Sequence, residues 1–204
     1  MRIWEPVAAV VAQRVVAVVR AGDAATARAA ATQLLDAGLR AVEISLTTPG
    51  ALDVIDDLHV PDGAFLGAGT VLDEVSAVAA VRAGASFLVT PTLAPDVIAA
   101  ARRYGVPTVP GVSTPTDALR ALEAGADLVK LFPGSAWSPR ALRNVLAALP
   151  QLALVPTGGI SLADAPAYLE AGAVAVGLGS SLTSGDAAAV PQRVASLLEE
   201  LADR

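Results

Sequence analysis

The stretch Ala126-Asp127-Leu128-Val129-Lys130-Leu131-Phe132-Pro133 decides how this chain is read. Ala124-Gly125-Ala126, which leads into it, has the form of a helix stop, with glycine free to take the left-handed conformation that ends a helix. From Leu128 the residues are apolar except for one cation, the pattern of a parallel strand covered on both faces. The same phrase recurs at Ala37-Gly38-Leu39, Ala83-Gly84-Ala85 and Ala171-Gly172-Ala173, with Tyr104-Gly105-Val106 as a variant. Working outward from these stops predicts eight strands, at 15–19, 41–46, 65–67, 87–90, 108–110, 128–131, 153–155 and 173–176. The segments between them carry helix starts. Asp23 precedes an alanine-rich run, and Thr48-Pro49, Thr114-Pro115 and Ser138-Pro139 each pair a capping residue with proline at the first helical position. Thr114 with Asp117, and Ser161 with Asp164, have capping-box spacing with Asp in place of Glu.

Eight strands in 204 residues leave about 25 residues per unit, enough for a strand, a helix and two short loops. The expected fold is α/β, a compact single-domain (β/α)8 TIM barrel spanning 1–204. A doubly wound open sheet is the alternative. The barrel is preferred because polar and glycine residues follow nearly every strand, which would gather one site at a single face. No linker, low-complexity tract or second domain is visible.

Lys130 is the only lysine; the other thirteen of the fourteen basic residues are arginine. Arginine stays protonated, whereas a lysine in apolar surroundings can lose its proton and attack a carbonyl to form a Schiff base. Its apolar neighbours Leu128, Val129, Leu131 and Phe132 favour the uncharged amine. A snorkelling or ion-paired lysine is the structural alternative.

Composition removes other chemistries. There is no cysteine, hence no disulfide scaffold, thiolate nucleophile or cysteine zinc site. The single histidine, His59, precedes the turn residues Pro61-Asp62-Gly63, so a multi-histidine metal site is excluded and a Ser-His-Asp triad disfavoured. A net charge of −6 argues against nucleic acid as a partner. No uncharged apolar run reaches the roughly 18 residues of a membrane span, and Val7 to Val19 is interrupted by Gln13 and Arg14. The expected location is the cytoplasm.

In a barrel, chemistry collects where strands end. Those positions are Arg20, Glu43, Thr47, Thr70, Thr90-Pro91, Gly111, Lys130 to Phe132, Thr157-Gly158-Gly159 and Gly179-Ser180. Glu43 lies between Val42 and Ile44, and strand alternation places it on one face with Ser45. An acid there can serve as a general acid/base or as a partner for Arg40. The glycine turns after the last two strands leave backbone N–H groups free and can cradle a phosphate; simple turn chemistry is the alternative.

Taken in order, Val42-Glu43-Ile44-Ser45-Leu46-Thr47, Gly67-Ala68-Gly69-Thr70-Val71, Val109-Pro110-Gly111, Val129-Lys130-Leu131-Phe132-Pro133 and Pro156-Thr157-Gly158-Gly159-Ile160 resemble the KDPG/KHG aldolases. These are class I aldolases that cleave 2-keto-3-deoxy-6-phosphogluconate or 4-hydroxy-2-oxoglutarate. The resemblance implies Lys130 as Schiff-base residue and Glu43 as proton-transfer residue. It places Thr70 and Pro91 at the pyruvyl end, Phe132 beside the lysine and Thr157 near the substrate stereocentre. Gly158, Gly159, Gly179 and Ser180 would hold the phosphate. It also implies a small keto acid and a phosphorylated aldehyde as partners, a cytoplasmic homotrimer, no cofactor and no metal. One position departs. Many relatives carry arginine at the position of Thr47, where it binds the pyruvate carboxylate. Arg20 can take over that contact. The phosphogalactonate aldolases also lack that arginine, so the sugar acid stays open between the two. Two other readings keep the phosphate cradle: an isomerase or synthase with Lys130 as an electrostatic group, and a non-catalytic phosphometabolite-binding barrel.

Overall fold

The computed structural model describes residues 4–202. The chain opens with helix α1 (Trp4–Gln13) and then alternates strand and helix. The strands are β1 (Val15–Val19), β2 (Ala41–Ser45), β3 (Phe65–Gly69), β4 (Leu88–Val89), β5 (Thr108–Val109), β6 (Gly111–Val112), β7 (Val129–Leu131), β8 (Leu154–Pro156) and β9 (Val176–Leu178). The helices after α1 are α2 (Ala24–Asp36), α3 (Ala51–Asp57), α4 (Glu74–Arg82), α5 (Pro95–Tyr104), α6 (Pro115–Ala124), α7 (Pro139–Ala148), α8 (Ala165–Glu170), α9 (Ser180–Thr183) and α10 (Val190–Ala202). Every strand pairing is parallel.

One curled sheet runs β5-β4-β3-β2-β1-β9 and a smaller one runs β6-β7-β8. Hydrogen bonds continue across both gaps between them. Leu128 N–H donates to Thr108 C=O of β5 at 3.2 Å, and Val174 N–H to Leu154 C=O at 3.0 Å; Thr157 bridges to Gly177. Nine strand segments thus replace the eight expected. Pro110 has no N–H to give a ladder, so the strand expected at 108–110 divides into β5 and β6 around it. The last strand begins at Val176 rather than 173: the turn ends at Gly172, at φ 104°, and Ala173 still gives its N–H to Tyr168 C=O of α8.

Two apolar layers hold the fold. The outer one lies between sheet and helices and is rich in alanine (Ala27, Ala31, Ala77, Ala80, Ala101, Ala121), which lets helices approach the strands closely. The inner one packs Val16, Phe87, Val89, Val109, Leu128 and Val155 against one another, with Val10 of α1 joining it. Helix starts largely follow the sequence. Asp23, Thr114 and Ser138 accept hydrogen bonds from the N–H groups of Thr26, Asp117 and Ala141 at 2.7, 3.1 and 3.1 Å. Thr48-Pro49 does not cap α3, which starts behind Gly50 at φ 73°. The Thr48 hydroxyl is instead buried and holds another loop.

Candidate active site

Glu43 and Lys130 are two of the few charged or polar side chains buried in the fold, at 2% and 6% exposure. Glu43 is central in β2, with Val18 and Gly67 as register partners; Lys130 is central in β7, between Gly111 and Val155. Both line one cavity inside the curled sheet, together with Thr157 and the inner apolar residues. Its free space is about 10 Å³, room for roughly one water molecule. Among the described residues neither charge has an ion-pair partner. The ammonium lies over Phe132, 5.1 Å from the ring centre.

Absent side chains make this room. Gly67 and Gly69 of β3 are the register partners of Glu43 and Ser45. A Cβ on Gly69 would overlap the Glu43 carboxylate, and one on Gly67 would overlap the Phe87 ring. Gly177 leaves the same kind of space for the Thr157 side chain, whose hydroxyl donates to Val155 C=O at 3.1 Å. Glycine inside a strand signals close approach of another group.

The other expected residues lie at or just beyond the carboxyl ends of the strands. The Thr70 hydroxyl lies 2.9 Å from Ser45 Oγ, which lies 2.8 Å from Thr47 Oγ1, so three hydroxyls form a chain at the ends of β2 and β3. Thr70 stands at φ 57°, a strained conformation for a β-branched residue. Pro91 and Phe132 line a separate cleft of about 450 Å³ with Gly111 and Leu93. The buried Thr90 hydroxyl accepts from Gly111 N–H at 3.2 Å and donates to Thr92 C=O, which pins the turn carrying Pro91.

Gly158 and Gly159 both have positive φ, 91° and 73°, and pack beneath the loop after β7. Ser135 N–H donates to Gly158 C=O at 2.9 Å, and a Cβ on Gly158 would press on Phe132 at 2.9 Å. Gly179 caps α9, whose first residue is Ser180, so a helix start does follow β9 directly. After β8 it does not: a Ser161–Asp164 turn intervenes before α8. Arg20 is exposed just past β1 and has no hydrogen-bond or ion-pair partner among the described residues. The next residue, Ala21, donates its N–H to the buried Thr48 hydroxyl at 3.1 Å, which ties the Arg20 segment to the loop holding Thr47. Asp127, at the opposite end of β7 from Phe132, is pushed up from its ordinary value by burial, although its carboxylate accepts from Thr108 N–H at 2.9 Å. A larger cleft, about 1030 Å³, lies elsewhere, between α2 and the start of α10, with Ala25, Ala29, Ala30, Ala37 and Ala187 in its wall.

The model of the KDPG and KHG aldolase family matches residues 7–195. The chain belongs to the KDPG/KHG aldolase family. It is a class I aldolase, a lyase. The 2-dehydro-3-deoxy-6-phosphogalactonate aldolase of Escherichia coli is 39% identical over 153 residues, covering 73% of this chain and 74% of its own. A solved 4-hydroxy-2-oxoglutarate/2-dehydro-3-deoxyphosphogluconate aldolase superposes with a TM-score of 0.84 at 38% identity, covering 96% of this chain and 98% of its own. The Legionella pneumophila KDPG aldolase, solved with pyruvate as a covalent carbinolamine, gives 0.78 at 28% identity, covering 96% and 95%. In this chain one amine, on Lys130, and one carboxyl group, on Glu43, line the same cavity.

Proposed function

We propose that this aldolase reversibly cleaves a 2-keto-3-deoxy-6-phospho sugar acid to pyruvate and glyceraldehyde 3-phosphate at Lys130. The observation that carries the reading is the single lysine, buried beside Glu43 in an apolar interior that belongs to an aldolase fold. The Lys130 amine attacks the C2 ketone to give a carbinolamine, and loss of water gives the iminium. Glu43 accepts the C4 hydroxyl proton, through the one water the cavity has room for. The C3–C4 electron pair passes to the iminium nitrogen, the aldehyde leaves, and an enamine remains. Protonation at C3 and hydrolysis release pyruvate and the free amine. Thr70 and Pro91 bound the pyruvyl end, Thr157 sits near the stereocentre, and Gly158, Gly159, Gly179 and Ser180 receive the phosphate.

Arg20 takes the carboxylate in place of the arginine absent at Thr47. Its free guanidinium supports this, as does the Thr48 tether on the next residue. The two sheets form one closed (β/α)8 barrel within a single domain, a reading supported by the bonds that join Leu128 to β5 and those between β8 and β9. The protein works in the cytoplasm as a homotrimer. Leu52 and Val75, 37% and 80% exposed, line one surface cleft, an apolar surface that a subunit contact would cover. Among the described residues no helix is long and apolar enough to cross a membrane.

The test is pyruvate release from 2-keto-3-deoxy-6-phosphogluconate, its galactonate epimer and 4-hydroxy-2-oxoglutarate. Cleavage of at least one phosphorylated acid is expected, with Lys130→Arg inactive but folded. Full activity of Lys130→Arg would exclude the mechanism.

A further inference from the structure

We infer that Ser45 is a positioning residue that sets Thr70 as a hydrogen-bond donor to the keto-acid carboxylate. The inference rests on the aldolase reading above, in which Thr70 meets the pyruvyl end of the substrate. Ser45 is fully buried at the last position of β2, on the same strand face as Glu43. Its oxygen is shared: Thr47 Oγ1 lies 2.8 Å away on one side and Thr70 Oγ1 2.9 Å on the other. The chain runs from exposed Thr47 through buried Ser45 to half-buried Thr70.

Three hydroxyls joined by two hydrogen bonds leave one proton over. If Thr70 donates to Ser45 and Ser45 to Thr47, the spare proton sits on Thr47 and faces solvent, and Thr70 offers the site only a lone pair. If the direction reverses, Thr47 donates to Ser45, Ser45 donates to Thr70, and the Thr70 proton is free for an acceptor in the site. A carboxylate selects the second direction, because it can only accept. Each bond in such a chain polarises the next, so the final donor is stronger than an isolated threonine. The same contact holds Thr70 in the left-handed region it occupies at φ 57°, since backbone strain persists only where the surroundings over-determine it. Ser45 touches no reacting atom; it acts through Thr70.

The experiment measures half-saturating pyruvate in borohydride trapping, alongside kcat and KM for cleavage. Ser45→Ala should raise half-saturating pyruvate and KM about tenfold with kcat changed less than about twofold. Ser45→Thr, which keeps the hydroxyl, should restore both. In a Thr70→Val background, Ser45→Ala should have no further effect, because the two residues act as one unit. Unchanged half-saturation in a folded Ser45→Ala protein overturns the inference, and so does an additive effect in the double variant. If Ser45→Ala does not fold, Thr47→Val interrupts the chain from its exposed end and should also weaken pyruvate binding; no change overturns the inference. Failure of the wild type to trap pyruvate at all would instead strike the aldolase mechanism, so the two failures are distinguishable.

Discussion

Gly69→Ala isolates the proton-transfer step from Schiff-base formation. Gly69 faces Ser45 in the sheet register, and the Glu43 side chain lies over it. A Cβ there would come 2.5 Å from Glu43 Cγ, where 3.0 Å is the closest normal approach, and would overlap the carboxylate itself. Gly69 does not have positive φ, so alanine meets no backbone strain. The conflict falls on Glu43, which is 2% exposed and cannot swing into solvent; the cavity beside it offers only about 10 Å³. The carboxylate must therefore move by about 1 Å or more, a displacement worth about 10²-fold in rate at a reacting centre. Overpacking adds about 1–3 kcal/mol of destabilisation. Lys130 stands on a different strand, and the three atoms nearest the added Cβ all belong to Glu43. The assay pairs steady-state cleavage with borohydride trapping at equilibrium. kcat should fall about 10²-fold while pyruvate is still trapped on Lys130. Wild-type kcat would refute the placement of Glu43 in the reaction. Loss of trapping in step with kcat would show that the substitution disrupts the whole site.

Arg20→Ala should raise KM for the keto acid about tenfold or more with little effect on kcat, as loss of a bidentate carboxylate contact predicts; an unchanged KM removes Arg20 from the site. Arg14 holds φ 62° between α1 and β1, so Arg14→Gly should relieve about 1 kcal/mol and raise Tm by about 2–4 °C in a thermal melt. A lower Tm would mean that the arginine side chain contributes more than its backbone costs. Asp23 and Asp73 cap α2 and α4. Backbone hydrogen bonds from Thr26 and Ser76 hold their carboxyls below the ordinary value of 3.8. Their stabilisation is therefore fully present above pH 3.8 and is lost as pH falls through the lowered values. An Asp23→Asn/Asp73→Asn double variant keeps a capping oxygen but cannot titrate, so its stability should decline less steeply in acid than the wild type. Parallel acid profiles would contradict this.

The strands most visible in the sequence are those where β-branched or leucine runs sit behind a glycine helix stop, as at Ala41–Ser45 and Val129–Leu131. Lys130 and Glu43 stood out because a charge inside such a run is costly unless it is used. What the sequence conceals depends on contacts between strands. The roles of Gly69 and Gly177 appear only once register sets them against Glu43 and Thr157. Ser45 looks like an ordinary strand residue until its hydroxyl is seen between Thr47 and Thr70, 25 residues apart from the latter. Thr48-Pro49 carries a valid capping signal, but the Thr48 hydroxyl is drawn to Ala21 N–H, a long-range partner that local spacing cannot reveal. The division of β5 from β6 was legible in Pro110 itself.

The central claim is that the amine of Lys130 forms the covalent intermediate. Incubation with pyruvate and borohydride, followed by peptide mapping by mass spectrometry, tests it directly, since a chain with one lysine offers only that side chain and the N-terminal amine. The account predicts one reduced pyruvate adduct, on the peptide containing Lys130, formed in parallel with loss of activity. An unmodified Lys130 peptide after full inactivation, or an adduct confined to the N-terminus, would contradict it.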